Sequence, residues 1–405
     1  MAISQALGVG SASAPCTRAE APPAVKAAGH VAVLDGVRGV AILMVLFGHF
    51  YQTSVIKVNY PLAGKILGRV LAPSGYGVEL FFVLSGFLIT GILLDTKELP
   101  GYFGKFYMRR FLRIFPLYYG ALAAVLLVLP LFVNLDAGGR EIVAHQGWLW
   151  CYLANWPSAY IWDNSNVFLL GHFWSLAVEE HFYILWPAMV FLLSRRGLVR
   201  VCFIVLVMCA TVRATDAIMG QAGPLILQWT TLTRVDGLAI GGLLAIALRT
   251  PELKEHLPSG KYMTAGLWVF GVLVMGLMLM PRQVHFLPIP IFSETIVVSF
   301  LGLAVLAALQ AQPGELYYQM LSSRVLVAFG KYSYGIYVIH GILRPVFAKV
   351  FNLEHAPIHY GLAFVSLAAY YVFAIGVSFL LAWLSYNLME KRFLALKRYF
   401  EYKPA

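Results

Sequence analysis

Long runs of apolar residues, separated by short polar or charged segments, repeat along most of the chain. Each run is long enough for an α-helix to cross the hydrocarbon core of a bilayer, which takes about 20 residues. The expected fold is all-α, a polytopic membrane bundle of about ten transmembrane helices. The predicted helices cover residues 33–53, 75–94, 111–133, 172–193, 198–216, 231–248, 262–280, 292–310, 329–351 and 363–388.

The composition supports a membrane protein. Hydrophobic residues make up 60% of the chain and charged residues only 12%, whereas soluble domains are about 25% charged. The net charge of +11 does not indicate nucleic-acid binding, because the Lys and Arg residues lie between apolar runs and form no single basic patch. Most of them fall on the side that carries both termini, so the positive-inside rule predicts cytoplasmic N- and C-termini.

The flanking segments and the cysteines carry little predicted chemistry. Residues 1–30 lack the charged start and apolar run of a cleaved signal, and their composition predicts a disordered cytoplasmic tail. Residues 31–393 are expected to form one transmembrane domain, followed by a short basic cytoplasmic tail at 394–405. The four cysteines show neither CxxC nor metal-ligand spacing, so we expect no disulfide framework and no metal site.

The first apolar run, LDGVRGVAILMVLFGHFY, carries one cation near its start and one histidine near its end. Helix geometry places Arg38 and His49 on one face, with a rise of about 16 Å between them. An ionisable side chain at such depth faces a protein interior or a watery cavity and indicates a functional site. Two plainer interpretations stay open: Arg38 as an anchor at the helix end, and His49 as a hydrogen-bonded core residue.

A second cationic segment, FYMRRFLRIFP, places Arg109, Arg110 and Arg113 at the predicted cytoplasmic surface. Arg110 and Arg113 are three residues apart and face the same side of a helix. Guanidinium groups suit phosphate because each offers a bidentate fork, so this pair is a candidate phosphate site. Attraction to anionic lipid headgroups explains the same spacing.

The segment HFWSLAVEEHFYILWP places two carboxylates side by side within an apolar run. Carboxylates in lipid require a polar interior, so Glu179 and Glu180 predict a lined cavity. Ser175 and Tyr183 share a helix face with Glu179, whereas Glu180 and His181 are expected to point elsewhere.

Other ionisable residues in apolar runs have less specific interpretations. Glu79, at the start of the second predicted helix, could orient or ionise a histidine such as His49, or could cap the helix. Arg234 and Asp236 form a candidate buried pair, and His340 lies within another apolar run. For these last three residues, structural hydrogen bonding is favoured over catalysis.

The longest predicted outer connection, residues 134–171, is rich in aromatic residues. An interfacial aromatic belt is the favoured interpretation, and a platform or lid for a sugar ring is the alternative. The aromatic residues are Trp148, Trp150, Tyr152, Trp156, Tyr160 and Trp162.

Seven segments, in order from residue 34 to residue 393, resemble the membrane-bound acyltransferase 3 family, whose members acylate surface polysaccharides and other acceptors in bacteria. Two positions depart from the family pattern, because His181 stands where glutamine is more common and Arg392 where proline is usual. The segments are LDGVRG with Arg38 and His49, GVELFFVLSGF, RRFLRIFPLYY, FWSLAVEEHFY, RVDGLAIGGLLA, KYSYGIYVIH and EKRF.

The resemblance implies an O-acyltransferase of the bacterial inner membrane. Such an enzyme takes an acyl group, expected to be acetyl, from cytoplasmic acyl-CoA to a sugar hydroxyl of a surface polysaccharide or lipid-linked glycan. Acyl-CoA is then a co-substrate, and no tightly bound cofactor is expected. In the expected site, His49 is the general base, and the candidates to orient it are Glu79, Glu179 and Glu180. The phosphates of coenzyme A are expected to bind Arg38, Arg110 and Arg113. The expected substrate contacts are Trp174, Ser175 and Tyr183.

Two other functions fit the same pattern. The first is an acyltransferase that modifies a small molecule such as a macrolide. The second, from another class, is a transporter or flippase of lipid-linked sugars, which also needs a polar lumen with histidine and glutamate near the membrane midplane.

Overall fold

The computed structural model describes residues 27–52, 61–135, 137–156, 169–219, 229–279, 289–351 and 360–402. Within these ranges the chain is helical, and ten helices of 13 to 27 residues overlap the ten predicted spans. They are α1 (Ala27–Gln52), α2 (Gly77–Thr96), α3 (Tyr102–Ala123), α4 (Trp174–Leu192), α5 (Arg195–Met219), α6 (Asp236–Leu248), α7 (Gly260–Leu279), α8 (Ile289–Gln310), α9 (Arg324–Val350) and α10 (Tyr360–Ser385).

Five stretches of the described chain are long and apolar enough to cross a membrane: Ala32–Gln52, Gly64–Thr96, Tyr102–Leu131, Arg195–Thr215 and Val365–Phe400. Shorter apolar helices occur within α6, α7 and α8. The all-α class is therefore confirmed, while the number of crossings and the orientation of the termini stay predictions. Most of the predicted N-terminal tail lies outside the described residues, and α1 already begins at Ala27.

The distribution of side chains is that of a protein surrounded by lipid. Large apolar side chains cover the outer surface, among them Phe132, which is 81% exposed, and Trp268, which is 72% exposed. Ionisable side chains such as Arg234 and Asp236 are instead buried in the interior. Because charges inside a bilayer face a protein interior or a cavity, this arrangement fits an integral membrane protein.

Two helix pairs form the centre of the bundle through very close backbone contacts. A Cβ atom at Gly330 of α9 would lie 1.8 Å from the carbonyl oxygen of Asp35 in α1. A Cβ atom at Gly241 of α6 would lie 2.0 Å from the carbonyl oxygen of Val83 in α2. Only glycine permits such approaches.

Helices α3 and α4 complete the enclosure beside these pairs. The hydroxyl of Tyr102 in α3 donates a hydrogen bond to the carbonyl of Pro187 in α4, at 3.0 Å. The hydroxyl of Tyr334 in α9 donates to the carbonyl of Ile114 in α3, at 2.7 Å. Helices α1, α2, α3, α4 and α9 are thereby held around a common interior space.

Candidate active site

A cavity opens between these five helices, with an empty volume of about 770 Å³ that includes its mouth. We call it the central cavity. Its presence agrees with the lined cavity expected from the paired glutamates. Each of the five helices contributes polar side chains to its wall, namely Arg38, Ser85, Arg110, Arg113, Ser175, Glu179, Glu180, Tyr183, Ser333, Tyr334 and Tyr337.

The three arginines proposed as phosphate ligands all line the central cavity. Arg38 forms an ion pair with Asp35, with Nη1 at 3.0 Å from Oδ1. The guanidinium of Arg110 lies 5.7 Å from the ring centre of Tyr183. Arg110 and Arg113 face the same side of α3, as their spacing predicts. Three guanidinium groups at one wall suit an anion that carries several negative charges.

A hydrogen-bonded group of side chains also lines the central cavity, next to Arg110. The Ser85 hydroxyl donates to Glu179 Oε1 at 2.9 Å and lies 2.8 Å from the Tyr183 hydroxyl. The shared face of Glu179 and Tyr183 was predicted from the sequence, whereas Ser85 was not among the predicted site residues. The structure gives Ser85 a polar role, because its Oγ connects α2 with α4 in the cavity lining.

Glu180 also lines the central cavity, although the helix pattern predicted that it points elsewhere. Neighbouring helix positions are separated by about 100°, and the cavity wall curves far enough around α4 to include both glutamates. Glu180 Oε1 is buried without a hydrogen-bond partner among the described residues. His181 does point away, with Nδ1 at 2.6 Å from the Thr231 hydroxyl oxygen.

Three histidines form a group beside the central cavity. His49 Nδ1 lies 2.8 Å from His340 Nε2, and the two rings stack with centres 5.1 Å apart. The ring of His172 lies 5.0 Å from that of His340. His340 is fully buried, whereas His49 keeps partial exposure.

The histidine partner of His49 differs from the sequence expectation, which named Glu79, Glu179 or Glu180. Glu79 Oε1 instead accepts from Arg234 at 2.7 Å. The physical reason is the tight α1–α9 contact, which brings α9 and not a glutamate to His49. The sequence does contain a signal for the pairing of His49 with His340. Each histidine lies ten residues after a glycine of the α1–α9 contact, Gly39 and Gly330 respectively.

Tyr337 connects the histidines to the central cavity. Its side chain lines the cavity, and its hydroxyl lies 2.5 Å from the Ser175 hydroxyl and donates to the carbonyl of His172 at 2.9 Å. Its backbone carbonyl accepts a hydrogen bond from His340 Nδ1 at 2.7 Å. One residue therefore touches both the cavity and the imidazole group.

The predicted pair of Arg234 and Asp236 is wrong. Arg234 binds Glu79 and Glu294, each at 2.7 Å, and Asp236 binds Arg213 at 2.8 Å. Residues two positions apart on a helix point in nearly opposite directions, so the two side chains meet different neighbours.

The three expected substrate contacts divide between two places. Ser175 and Tyr183 line the central cavity. Trp174 lies apart from them, with its ring 4.9 Å from that of Trp229 and 5.7 Å from the guanidinium of Arg234.

The aromatic connection between α3 and α4, predicted to lie outside, is packed onto α3 where the structure describes it. Tyr152 is buried and stacks on Tyr118 with ring centres 4.0 Å apart. Trp148 is exposed, while Tyr160 and Trp162 lie outside the described residues. The described part thus contributes aromatic packing, and the lid interpretation stays a prediction.

Comparison with known proteins places these features in context. The family model described as "Acyltransferase domain", that of the acyltransferase 3 family, matches residues 31–386. The chain is 27% identical to YrhL of Bacillus subtilis, 26% identical to the peptidoglycan O-acetyltransferase OatA of Listeria monocytogenes and 27% identical to the O-acetyltransferase OatA of Staphylococcus aureus.

These alignments cover 88%, 89% and 88% of this chain, but 54%, 55% and 56% of the relatives. The chain thus spans about half the length of the relatives it matches. No solved structure matches it.

Proposed function

This chain belongs to the acyltransferase 3 family, and we propose that it is an O-acyltransferase that carries an acetyl group from acetyl-CoA to a sugar hydroxyl of an envelope glycan. The observation that carries the proposal is the pairing of a three-arginine wall in the central cavity with a histidine group beside it. The peptidoglycan O-acetyltransferase of Listeria monocytogenes suggests peptidoglycan as the acceptor.

In this proposal the donor binds at the arginines. Arg38, Arg110 and Arg113 hold phosphates of coenzyme A by charge-assisted hydrogen bonds, the strongest type that such groups form. The pantetheine arm extends along α1 and carries the thioester toward His49. The helix rise of about 16 Å between Arg38 and His49 sets the distance that the arm spans.

The hydrogen bonds of His340 support His49 as the general base. His340 Nδ1 lies 2.7 Å from the carbonyl oxygen of Tyr337, and a carbonyl only accepts, so this nitrogen carries the hydrogen. In the neutral ring His340 Nε2 is then an acceptor, and His49 donates to it from Nδ1. His49 Nε2 is left with a free lone pair, the form that accepts a proton.

The chemical step follows from that lone pair. His49 Nε2 takes the proton of the acceptor hydroxyl while the hydroxyl oxygen attacks the thioester carbonyl carbon. The carbon–sulfur bond breaks, the acetyl ester forms, and the proton passes from the imidazolium to the departing thiolate. General base catalysis of this kind contributes typically about 10²–10⁴-fold to the rate.

The test uses purified protein in proteoliposomes with radiolabelled acetyl-CoA and soluble peptidoglycan fragments. His49→Ala should lower acetyl transfer by about 10²-fold or more. His145→Ala is the matched control, because His145 is an exposed histidine away from the cavity, and it should leave the rate unchanged. Full activity of His49→Ala would refute the assignment, and glycan transport without acetylation would favour the transporter alternative.

A further inference from the structure

A second cavity adjoins the first, with an empty volume of about 730 Å³ that includes its mouth. We call it the terminal cavity, because the C-terminal segment forms one of its walls. Its lining includes Arg109 and Arg110 of α3, Lys397 and Tyr402 of the C-terminal segment, and Phe106 and Asp95.

The C-terminal segment is held against α3 by backbone acceptors. Lys391–Ala395 is a short helix, and Leu396–Phe400 continues it as a 3₁₀ turn. Arg109 Nη1 donates to the carbonyl oxygens of Lys397 and Phe400, each at 3.5 Å. These contacts keep the Lys397 side chain beside the two arginines of α3.

The charge of the terminal cavity is not balanced by protein carboxylates. Across the described part of the chain, Arg109, Arg110 and Lys397 form no ion pair with a carboxylate. Asp95 is engaged by Arg249, with two nitrogen–oxygen distances of 2.7 Å. Three cations held together repel one another, so an anion bound between them is favourable.

The two cavities share Arg110, which lines both. A ligand that carries several phosphates can therefore bind in both cavities at once. Tyr402, which is partly exposed, adds aromatic surface to the terminal cavity, on which a purine ring can stack.

We propose that the terminal cavity binds the 3′-phosphoadenosine end of the acyl-CoA donor, with Arg109 and Lys397 on the 3′-phosphate. The diphosphate then lies at Arg38, Arg110 and Arg113. This proposal deepens the proposed function and rests on its donor. A lipid phosphate offers the same chemistry, and the experiment separates the two sources.

The experiment measures equilibrium binding of coenzyme A and of 3′-dephospho-coenzyme A to the full chain, by calorimetry in phosphatidylcholine nanodiscs. The wild type should bind coenzyme A about tenfold more tightly than 3′-dephospho-coenzyme A, which is a typical effect of one charge-assisted contact. Lys397→Met should weaken coenzyme A binding by about tenfold and leave dephospho-coenzyme A binding unchanged. Arg109→Met is the second variant, and it should weaken coenzyme A binding by at least as much, because it also removes the contacts to the Lys397 and Phe400 carbonyl oxygens.

Lys391→Met is the matched control, since Lys391 is an exposed lysine of the same segment. It should bind both ligands as the wild type does. Equal weakening of both ligands by Lys397→Met would overturn the proposal. So would an effect that appears only in nanodiscs with phosphatidylglycerol and is the same for both ligands, because that result identifies a lipid site.

Failure of the proposed function gives a different result. Discrimination of the 3′-phosphate by binding, without acetyl transfer to any acceptor, would support this inference and count against the enzymatic step. Acetyl transfer at equal KM from acetyl-CoA and 3′-dephospho-acetyl-CoA would support the enzyme and overturn this inference.

Discussion

At the scale of single residues, the position of one hydrogen in a histidine pair decides which nitrogen of His49 can act as a base. A doubly protonated His340 would donate from Nε2 and would reverse the hydrogen bond to His49. Such an imidazolium would have to stay charged in a fully buried site within a membrane bundle, which is costly. The neutral arrangement, with the carbonyl of Tyr337 as final acceptor, is therefore favoured.

This arrangement predicts opposite results for two substitutions of His340. Gln can place an amide oxygen near the former Nε2 position and accept from His49 Nδ1, so His340→Gln should keep most of kcat. His340→Leu removes the acceptor and should lower kcat by about 10²-fold or more, as loss of tautomer control does in other histidine-dependent enzymes. KM for acetyl-CoA should stay constant in both variants, because the arginine wall is unchanged.

Initial rates in proteoliposomes give the two constants separately. A purely structural role for His340 would reduce activity in both variants together, in proportion to the loss of folded protein. Equal kcat values for His340→Leu and the wild type would show that His49 is oriented by another group.

At the scale of the helices, the sequence predicts well which segments form helices but predicts poorly which side chains meet between helices. All ten apolar runs overlap a helix, because hydrophobic length alone determines where such helices form. Their mutual arrangement depends on which faces meet. The shared face of Ser175, Glu179 and Tyr183 was predictable from helix geometry, while the partners of His49, Arg234 and Asp236 were not, since each lies on another helix.

Glycine contacts are the exception, because they leave a trace in the sequence. Gly241 of α6 touches the backbone of α2, and an added Cβ atom would lie 2.0 Å from the Val83 carbonyl oxygen. Gly241→Ala should therefore separate the two helices and destabilise the protein by about 1–3 kcal/mol, the usual cost of overpacking.

The measurement is thermal unfolding in detergent, followed by the loss of monodisperse protein. Gly376→Ala in α10 is the control, because a Cβ atom there would have no neighbour within 4 Å. Its unfolding temperature should equal or exceed that of the wild type, because alanine favours the helix where there is space for its Cβ atom. An unchanged unfolding temperature for Gly241→Ala would mean that α2 and α6 approach less closely than described.

At the scale of the whole molecule, polar groups are organised along the bundle. The central cavity meets the terminal cavity at Arg110 and meets the histidines at Tyr337. In the proposed function, the phosphates of the donor and the hydroxyl of the acceptor would then bind at different depths in the bundle. The proposed function requires the arginines to face the cytoplasm, where acyl-CoA is made.

The predicted orientation can be tested by cysteine labelling in a chain with Cys16→Ser. Cys151, in the predicted outer connection, is exposed, while Cys202 and Cys209 are buried. Pro313→Cys introduces a thiol at an exposed position in the loop between α8 and α9. If both termini are cytoplasmic, a membrane-impermeant maleimide should label Cys151 in right-side-out vesicles and residue 313 only in inverted ones. The reverse pattern would put the arginine wall on the side opposite to cytoplasmic acyl-CoA, and would contradict the topology together with the proposed route of the donor.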